Sequence, residues 1–265
     1  MTFKKLLFFI GLFFISVNLF ASIIVTNGLT HSYKVKGGTV QKGVISIQNT
    51  ADVSQNVKLY QQDYKYNTSG ASFYEDYGKN ERSNLKWIRL NSNLVKIDAK
   101  SKTNVSYEIT VPDNIIIGST WSVIMVEPVD DIVPTNDKRG VQLKSVIRYS
   151  IQIITTNEEA GESLLKFDAV NLNNRDGKSL LDVAVSNQGS LFHYVEVSIE
   201  LFDSENGKNM GVFKSDKMSL LPTNSKLFVI DLSSMPPGSY TASILANTTE
   251  DNVFGLNIEL NLSNE

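Results

Sequence analysis

His31 and His193 are the two imidazoles of this 265-residue chain, and they stand too far apart in sequence to form a local metal motif. Ser190 and His193 lie within Ser-Leu-Phe-His. That segment is not a nucleophile elbow of the Gly-x-Ser-x-Gly kind, and no carboxylate is placed to orient the imidazole. The absence of cysteine removes thiol chemistry and disulfides, and no spacing among the 28 acidic residues singles out a catalytic pair. No glycine-rich phosphate loop precedes a helical pattern. With 25 basic against 28 acidic residues the net charge is −3, so there is no basic field for a nucleic acid. These features point away from an enzyme and from any cofactor or metal, and toward a binding protein.

Two segments carry side chains suited to recognition. Lys58, Tyr60, Gln62, Tyr64 and Tyr66 share one parity, and Phe73, Tyr74 and Tyr77 follow across a glycine turn. A strip of tyrosines among polar groups can stack on sugar rings or pack against a partner surface, giving contact area at little entropic cost. The alternative is a hairpin that uses them as its own cross-strand aromatic pairs. The second segment is Val141 to Thr155, in which Ile147, Tyr149, Ile151 and Ile153 alternate with polar residues. An edge strand of this kind can offer main-chain hydrogen bonds and apolar side chains to a partner, or it can face its own core. Lys144 and Arg148 lie four apart, hence on one face of that strand. Asp63 has the opposite parity to the tyrosines and needs a partner if it points inward; Arg82 is the candidate. Trp87 and Trp121 read as core aromatics of the first half.

The elements that must position these groups are strands. Val105, Tyr107, Ile109 and Val111 alternate with Ser106, Glu108 and Thr110; Val195, Val197, Ile199 and Leu201 alternate with Glu196, Ser198 and Glu200. Phe254, Leu256, Ile258, Leu260 and Leu262 repeat the pattern near the C-terminus. This period of two over many short runs predicts antiparallel sheets with one dry and one wet face. Gly37-Gly38, Asn67 to Gly70, Asn206-Gly207 and Pro236-Pro237-Gly238 punctuate the runs, where turns need positive or fixed φ. The polar stretch Thr155 to Ser163 divides the chain, giving an expected first domain over 23–155 and a second over 163–265. Seven or so strands in each predict an all-β chain of two tandem immunoglobulin-like antiparallel β-sandwiches.

Residues 1–21 read as a signal peptide: Lys4 and Lys5, the apolar run Leu6 to Phe20, then Ala21-Ser22. Fifteen residues of helix span roughly 22 Å, short of the hydrocarbon core. No later stretch is apolar enough to span, so the expectation is an exported protein with no permanent membrane span after cleavage. Without disulfides, each domain must hold by burial alone.

The order of segments in the first half resembles the N-terminal domain of periplasmic pilus chaperones: GVISIQN at 43–49, VKLYQQDY at 57–64, RSNLKWIRL at 82–90, VSYEITVPDN at 105–114 and GSTWSVIMVEP at 118–128. It is similar also to the peptidoglycan-binding domain of the WxL-interacting protein family. The second half, with SNQGS at 186–190 and PPGSY at 236–240, resembles the immunoglobulin-like surface domains that follow such modules. The pilus-chaperone resemblance implies a chaperone-like protein in the periplasm that engages exported or surface subunits by edge-strand pairing. Lys144, Ile147, Arg148, Tyr149, Ile151 and Ile153 would form the pairing strand. In those chaperones a pair of basic residues anchors a terminal carboxylate; here the first strand offers Lys34 and Lys36 but no arginine, so the pair is not reproduced. The alternative is a secreted or cell-surface module that recognises peptidoglycan, another glycan or a host protein through Tyr60, Tyr64, Tyr66, Tyr74 and Tyr77.

Overall fold

The computed structural model describes residues 22–76, 80–129, 146–159, 161–249 and 251–263. The signal-peptide segment, Tyr77 and Lys144 lie outside the described residues. The first half contains β1 (Ile23–Val25), β2 (Thr30–Lys34), β3 (Val40–Asn49), β4 (Gln55–Tyr66), β5 (Ser72–Glu75), β6 (Ile88–Leu90), β7 (Leu94–Ile97), β8 (Lys102–Thr110), β9 (Gly118–Val129) and β10 (Tyr149–Asn157). The second contains β11 (Leu165–Arg175), β12 (Lys178–Asn187), β13 (His193–Asp203), β14 (Asn209–Lys214), β15 (Met218–Leu220), β16 (Ser225–Asp231), β17 (Gly238–Thr248) and β18 (Val253–Leu262). Apart from one short 3-10 turn at Leu85–Trp87, the regular structure among the described residues is all strand.

In the first sandwich, strands in the order β1-β3-β8-β6 face strands in the order β2-β10-β9-β4-β5, with β7 added beside β4. The chain starts in one sheet and crosses to the other at Gly28, whose φ of +90° lets β1 and β2 belong to opposite sheets. Ile45, Ile47, Val105, Ile109, Leu59, Ile124, Ile151 and Ile153 meet between the sheets and are almost fully buried. The alternation in β8 holds residue by residue: Val105, Tyr107 and Ile109 are buried, while Ser106 and Thr110 face water.

The second sandwich sets β11-β12-β16 against β14-β13-β17-β18, with β15 beside β13. Its core holds Leu181, Val183, Val185, Phe228 and Ile230 from one sheet, and Val195, Val197, Ile199, Leu201 and Ile244 from the other. That core does not stop at the domain boundary. Trp121, Tyr64 and Tyr66 of the first sandwich belong to the same apolar cluster.

The two tryptophans therefore divide the work. Trp87 is only half-buried and packs against the edge of the first core. Trp121 is buried, with its indole N–H donating to the Tyr64 carbonyl at 2.7 Å, but it lies on the sheet face toward the second domain.

Candidate functional site

β10 is bounded unequally on its two sides. Along its whole length, from Tyr149 opposite Val126 to Asn157 opposite Gly118, it pairs antiparallel with β9. On the other side β2 runs parallel to it from Gln152 opposite Thr30 to Thr156 opposite Lys34. The first bond of that ladder is Gln152 N–H to the Leu29 carbonyl at 2.8 Å. Backbone groups alternate sides along a strand, so the even-numbered residues of β10 address the β2 side. By that alternation Ser150 points its N–H and C=O there too, and among the described residues β2 provides no ladder partner for it.

The side chains of this row grade from wet to dry. Ile147 is 51% exposed and its neighbour Val146 46%; Tyr149 is half-buried against the first core; Ile151 and Ile153 are at 0%. This corrects the expectation that all four residues are available to a partner. Ile151 and Ile153 fill their own sandwich, and Ile153 lies in the part of β10 that is paired on both sides. What stays accessible is 146–150.

The tyrosine strip also divides. Tyr64 and Tyr66 are buried, at 9% and 6%, so the strip is not the exposed surface that the glycan reading needs. The physical reason is that the outer face of this sheet looks toward the second domain rather than toward solvent. Tyr64 lies opposite Tyr74 across the β4–β5 pair, with ring centroids 5.3 Å apart and planes inclined by 29°, so the hairpin uses its own aromatics as a cross-strand pair. Tyr74 and Phe73 remain exposed. Burial raises the Tyr64 hydroxyl above its ordinary range.

Tyr60, further along the same face, is brought beside Arg148. Its hydroxyl donates to Glu127 Oε2 at 2.8 Å, and the Lys58 ammonium lies 5.1 Å from its ring centroid. Partial burial, followed by the Glu127 bond, raises the Tyr60 hydroxyl, and a hydrogen bond with Arg148 opposes that. Tyr60 and Arg148, which the sequence assigns to rival sites, are neighbours beside the start of β10.

Asp63 is buried, and its Oδ2 accepts from the Asn80 amide at 3.3 Å. The Arg82 guanidinium donates to the carbonyls of Ile117 and Ser119 at 3.1 and 3.2 Å. Lys34, considered for a carboxylate anchor, forms an ion pair with Glu158 at 2.9 Å.

The seam between the domains, which no local sequence signal marks, joins the ends of β4 and β9 to the second domain. The Tyr66 amide donates to Asn224 Oδ1 at 2.8 Å, and the Lys226 ammonium stands 4.6 Å from the Tyr66 ring centroid. Ser119 N–H donates to the Ser190 carbonyl at 2.7 Å, and Phe192 N–H donates to Ser119 Oγ at 2.8 Å. Beneath the seam, Asn84 is wholly buried. Its amide donates to the Ile153 carbonyl and to Thr155 Oγ1, each at 3.0 Å, and accepts from Ser122 Oγ at 2.7 Å. Hydrogen bonds, the Lys226–Tyr66 contact and the shared apolar cluster that includes Trp121 and Ile154 hold β9, β10 and the second domain together here.

No helix among the described residues is long and apolar enough to cross a membrane. No family model matches the chain, and no curated protein matches it. Solved structures to which it is similar include pilus chaperones and their complexes. A chaperone–tip adhesin complex of CFA/I fimbriae aligns at 14% identity over 90% of this chain and 98% of that one, with a TM-score of 0.47. A complex of the Salmonella enterica SafA pilin with the SafB chaperone aligns at 11% identity over 92% and 97%, with a TM-score of 0.45. The CsuC–CsuE chaperone–tip subunit pre-assembly complex of Csu pili from Acinetobacter baumannii aligns at 17% identity over 90% and 98%, with a TM-score of 0.44.

Proposed function

We propose that this chain is an exported, non-enzymatic binding protein that acts like a chaperone in the periplasm, adding a strand of an exported or surface protein to the free edge of β10. The observation that carries this reading is the mismatch in length between β2 and β10: the β2 ladder begins at Gln152, whereas β10 begins at Tyr149 and is preceded by the exposed residues Val146, Ile147 and Arg148. Main-chain hydrogen bonding at Ser150 would supply affinity that tolerates many partner sequences. Ile147 and Val146 supply apolar area, and Arg148 a charge beside Tyr60. Open edges of this kind are ordinarily blunted, because they invite pairing.

The test is a photo-crosslinking residue in place of Ile147 in the exported full-length chain. A control crosslinker replaces Val212, equally exposed in the second domain. The expected result is an adduct with an exported protein at 147 and not at 212, lost when Ser150→Pro removes an edge N–H that β9 does not use. Adducts that persist in the proline variant would reject strand addition.

A further inference from the structure

β18 differs from the other sheet edges. β1, β2 and β5 are three to five residues long. β11 is bulged between Phe167 and Ala169 and carries Lys166 and Asp168. The β14 ladder shifts register at Leu201/Phe202, and β14 ends on Lys214; β16 carries Lys226 and Asp231. Short length, bulges and charges are the usual protections of an edge. β18 has ten residues in unbroken register with β17, no lysine, arginine or proline, and a single charge at Glu259.

The ladder shows which of its groups are open. Thr248 N–H donates to the Asn252 carbonyl at 2.9 Å, so alternation assigns the even-numbered residues of β18 to β17. Val253, Gly255, Asn257, Glu259 and Asn261 then direct their N–H and C=O outward, and among the described residues no strand pairs with them.

We propose that this edge pairs with β18 of a second copy of the chain, antiparallel about a two-fold axis at Asn257. That register pairs all of the outward-facing residues, matching 253 with 261 and 255 with 259. It sets each Glu259 opposite a glycine, Gly255, so the one charge on the strand meets neither its own copy nor a bulky neighbour. On the inner face it puts Leu256, 36% exposed in the monomer, opposite Ile258 of the second copy. The four-stranded run of each copy then continues into the other. A two-fold axis makes the contact self-complementary and closed, so pairing stops at the dimer.

The absence of cysteine makes the register directly readable. In the full exported chain, Asn257→Cys places two thiols across a hydrogen-bonded pair about 5.5 Å apart at Cα, within disulfide range. Oxidation should give a covalent dimer for Asn257→Cys and none for Asn261→Cys alone, while a mixture of Asn261→Cys with Val253→Cys should give the heterodimer. In sedimentation equilibrium, Gly255→Glu should weaken the dimer about tenfold through two symmetry-related carboxylate pairs, and Gly255→Lys should tighten it. Equal crosslinking at 257 and 261, or a chain that sediments as a monomer at every concentration, overturns the proposal. So does a dimer that Ile147→Lys dissociates and Gly255→Glu does not, because the contact would then lie on β10.

Discussion

The hydroxyl of Tyr66, at the end of β4, accepts the amide hydrogen of Leu221 in the second domain at 2.8 Å, and both residues are buried. The same hydroxyl donates to the Ser219 carbonyl at 3.1 Å. One side chain thus satisfies two backbone groups of the other sandwich, in a core that the two domains share. This buried contact ties the end of β4 to the second domain, and β4 is joined to β10 through β9.

Tyr66→Phe removes both bonds and leaves the Leu221 N–H buried without its partner. The expected loss is about 1–3 kcal/mol in denaturant unfolding. The loss should depend on pH. Burial raises the Tyr66 hydroxyl well above its ordinary value of 10.0. Its stabilisation is then complete below pH 10 and declines as pH rises through the folded-state value. The difference in Tm between the native chain and Tyr66→Phe should narrow above pH 10. Lys226, whose ammonium burial holds below its ordinary range, is present in both proteins, so its opposite alkaline effect largely cancels in that difference.

Gly118 opens β9 at φ +90°, and a Cβ there would stand 2.2 Å from the Ser190 carbonyl oxygen. Gly118→Ala should therefore cost both the left-handed backbone penalty and a backbone clash across the seam. Gly70→Ala is the control, since that glycine has φ +78° and open space around its missing Cβ. We expect about 1–2 kcal/mol for Gly70→Ala and about 1–3 kcal/mol more for Gly118→Ala, read from urea midpoints.

The strand pattern was legible because period two is local: Val195, Val197, Ile199 and Leu201 announce their burial in sequence, and all four are at 0%. The seam was illegible because its partners are remote, Tyr66 and Asn224 lying 158 positions apart. For the same reason the parity of Tyr60, Gln62, Tyr64 and Tyr66 correctly put them on one face and could not tell that a second domain covers part of it. At β10, alternation identified the row 147–153 without revealing where β2 begins, and it is that boundary which separates accessible Ile147 from buried Ile153. Asn84, mid-segment and polar, carries no signal at all until Ile153 and Ser122 are seen around it.

Asn84→Ala should destabilise the first sandwich by about 2–4 kcal/mol, because it strands the Ser122 hydroxyl and withdraws a donor from Ile153 and Thr155. Removing partners together is cheaper than removing one. Asn84→Ala combined with Ser122→Ala and Thr155→Val should therefore recover part of the loss, measured as a positive coupling in the mutant cycle. The readout is the unfolding free energy followed by tryptophan fluorescence, since Trp87 and Trp121 both lie in this sandwich.

His31 lies on β2, opposite Ile153, where the ladder that closes the lower part of β10 is made. Its Nδ1 is 2.6 Å from the Tyr107 hydroxyl, which is in turn 2.8 Å from that of Tyr33. These hydroxyls crowd the backbone of Gly43, where a Cβ would come within 2.4 Å of both. Burial lowers the His31 pKa below 6.5, against the opposing backbone hydrogen bonds of Asn27 and Gly28. A lowered folded-state value means that the native chain binds fewer protons than the unfolded one in the interval beneath 6.5. The neutral imidazole's contribution is thus whole above pH 6.5 and is lost as pH falls through the folded-state value. Acid should loosen β2 first. The expected observation is faster hydrogen exchange of the Gln152 amide, relative to its intrinsic rate, at pH 5 than at pH 7, with no such acceleration in His31→Phe. An unchanged ratio in the native chain would detach His31 from the stability of this edge.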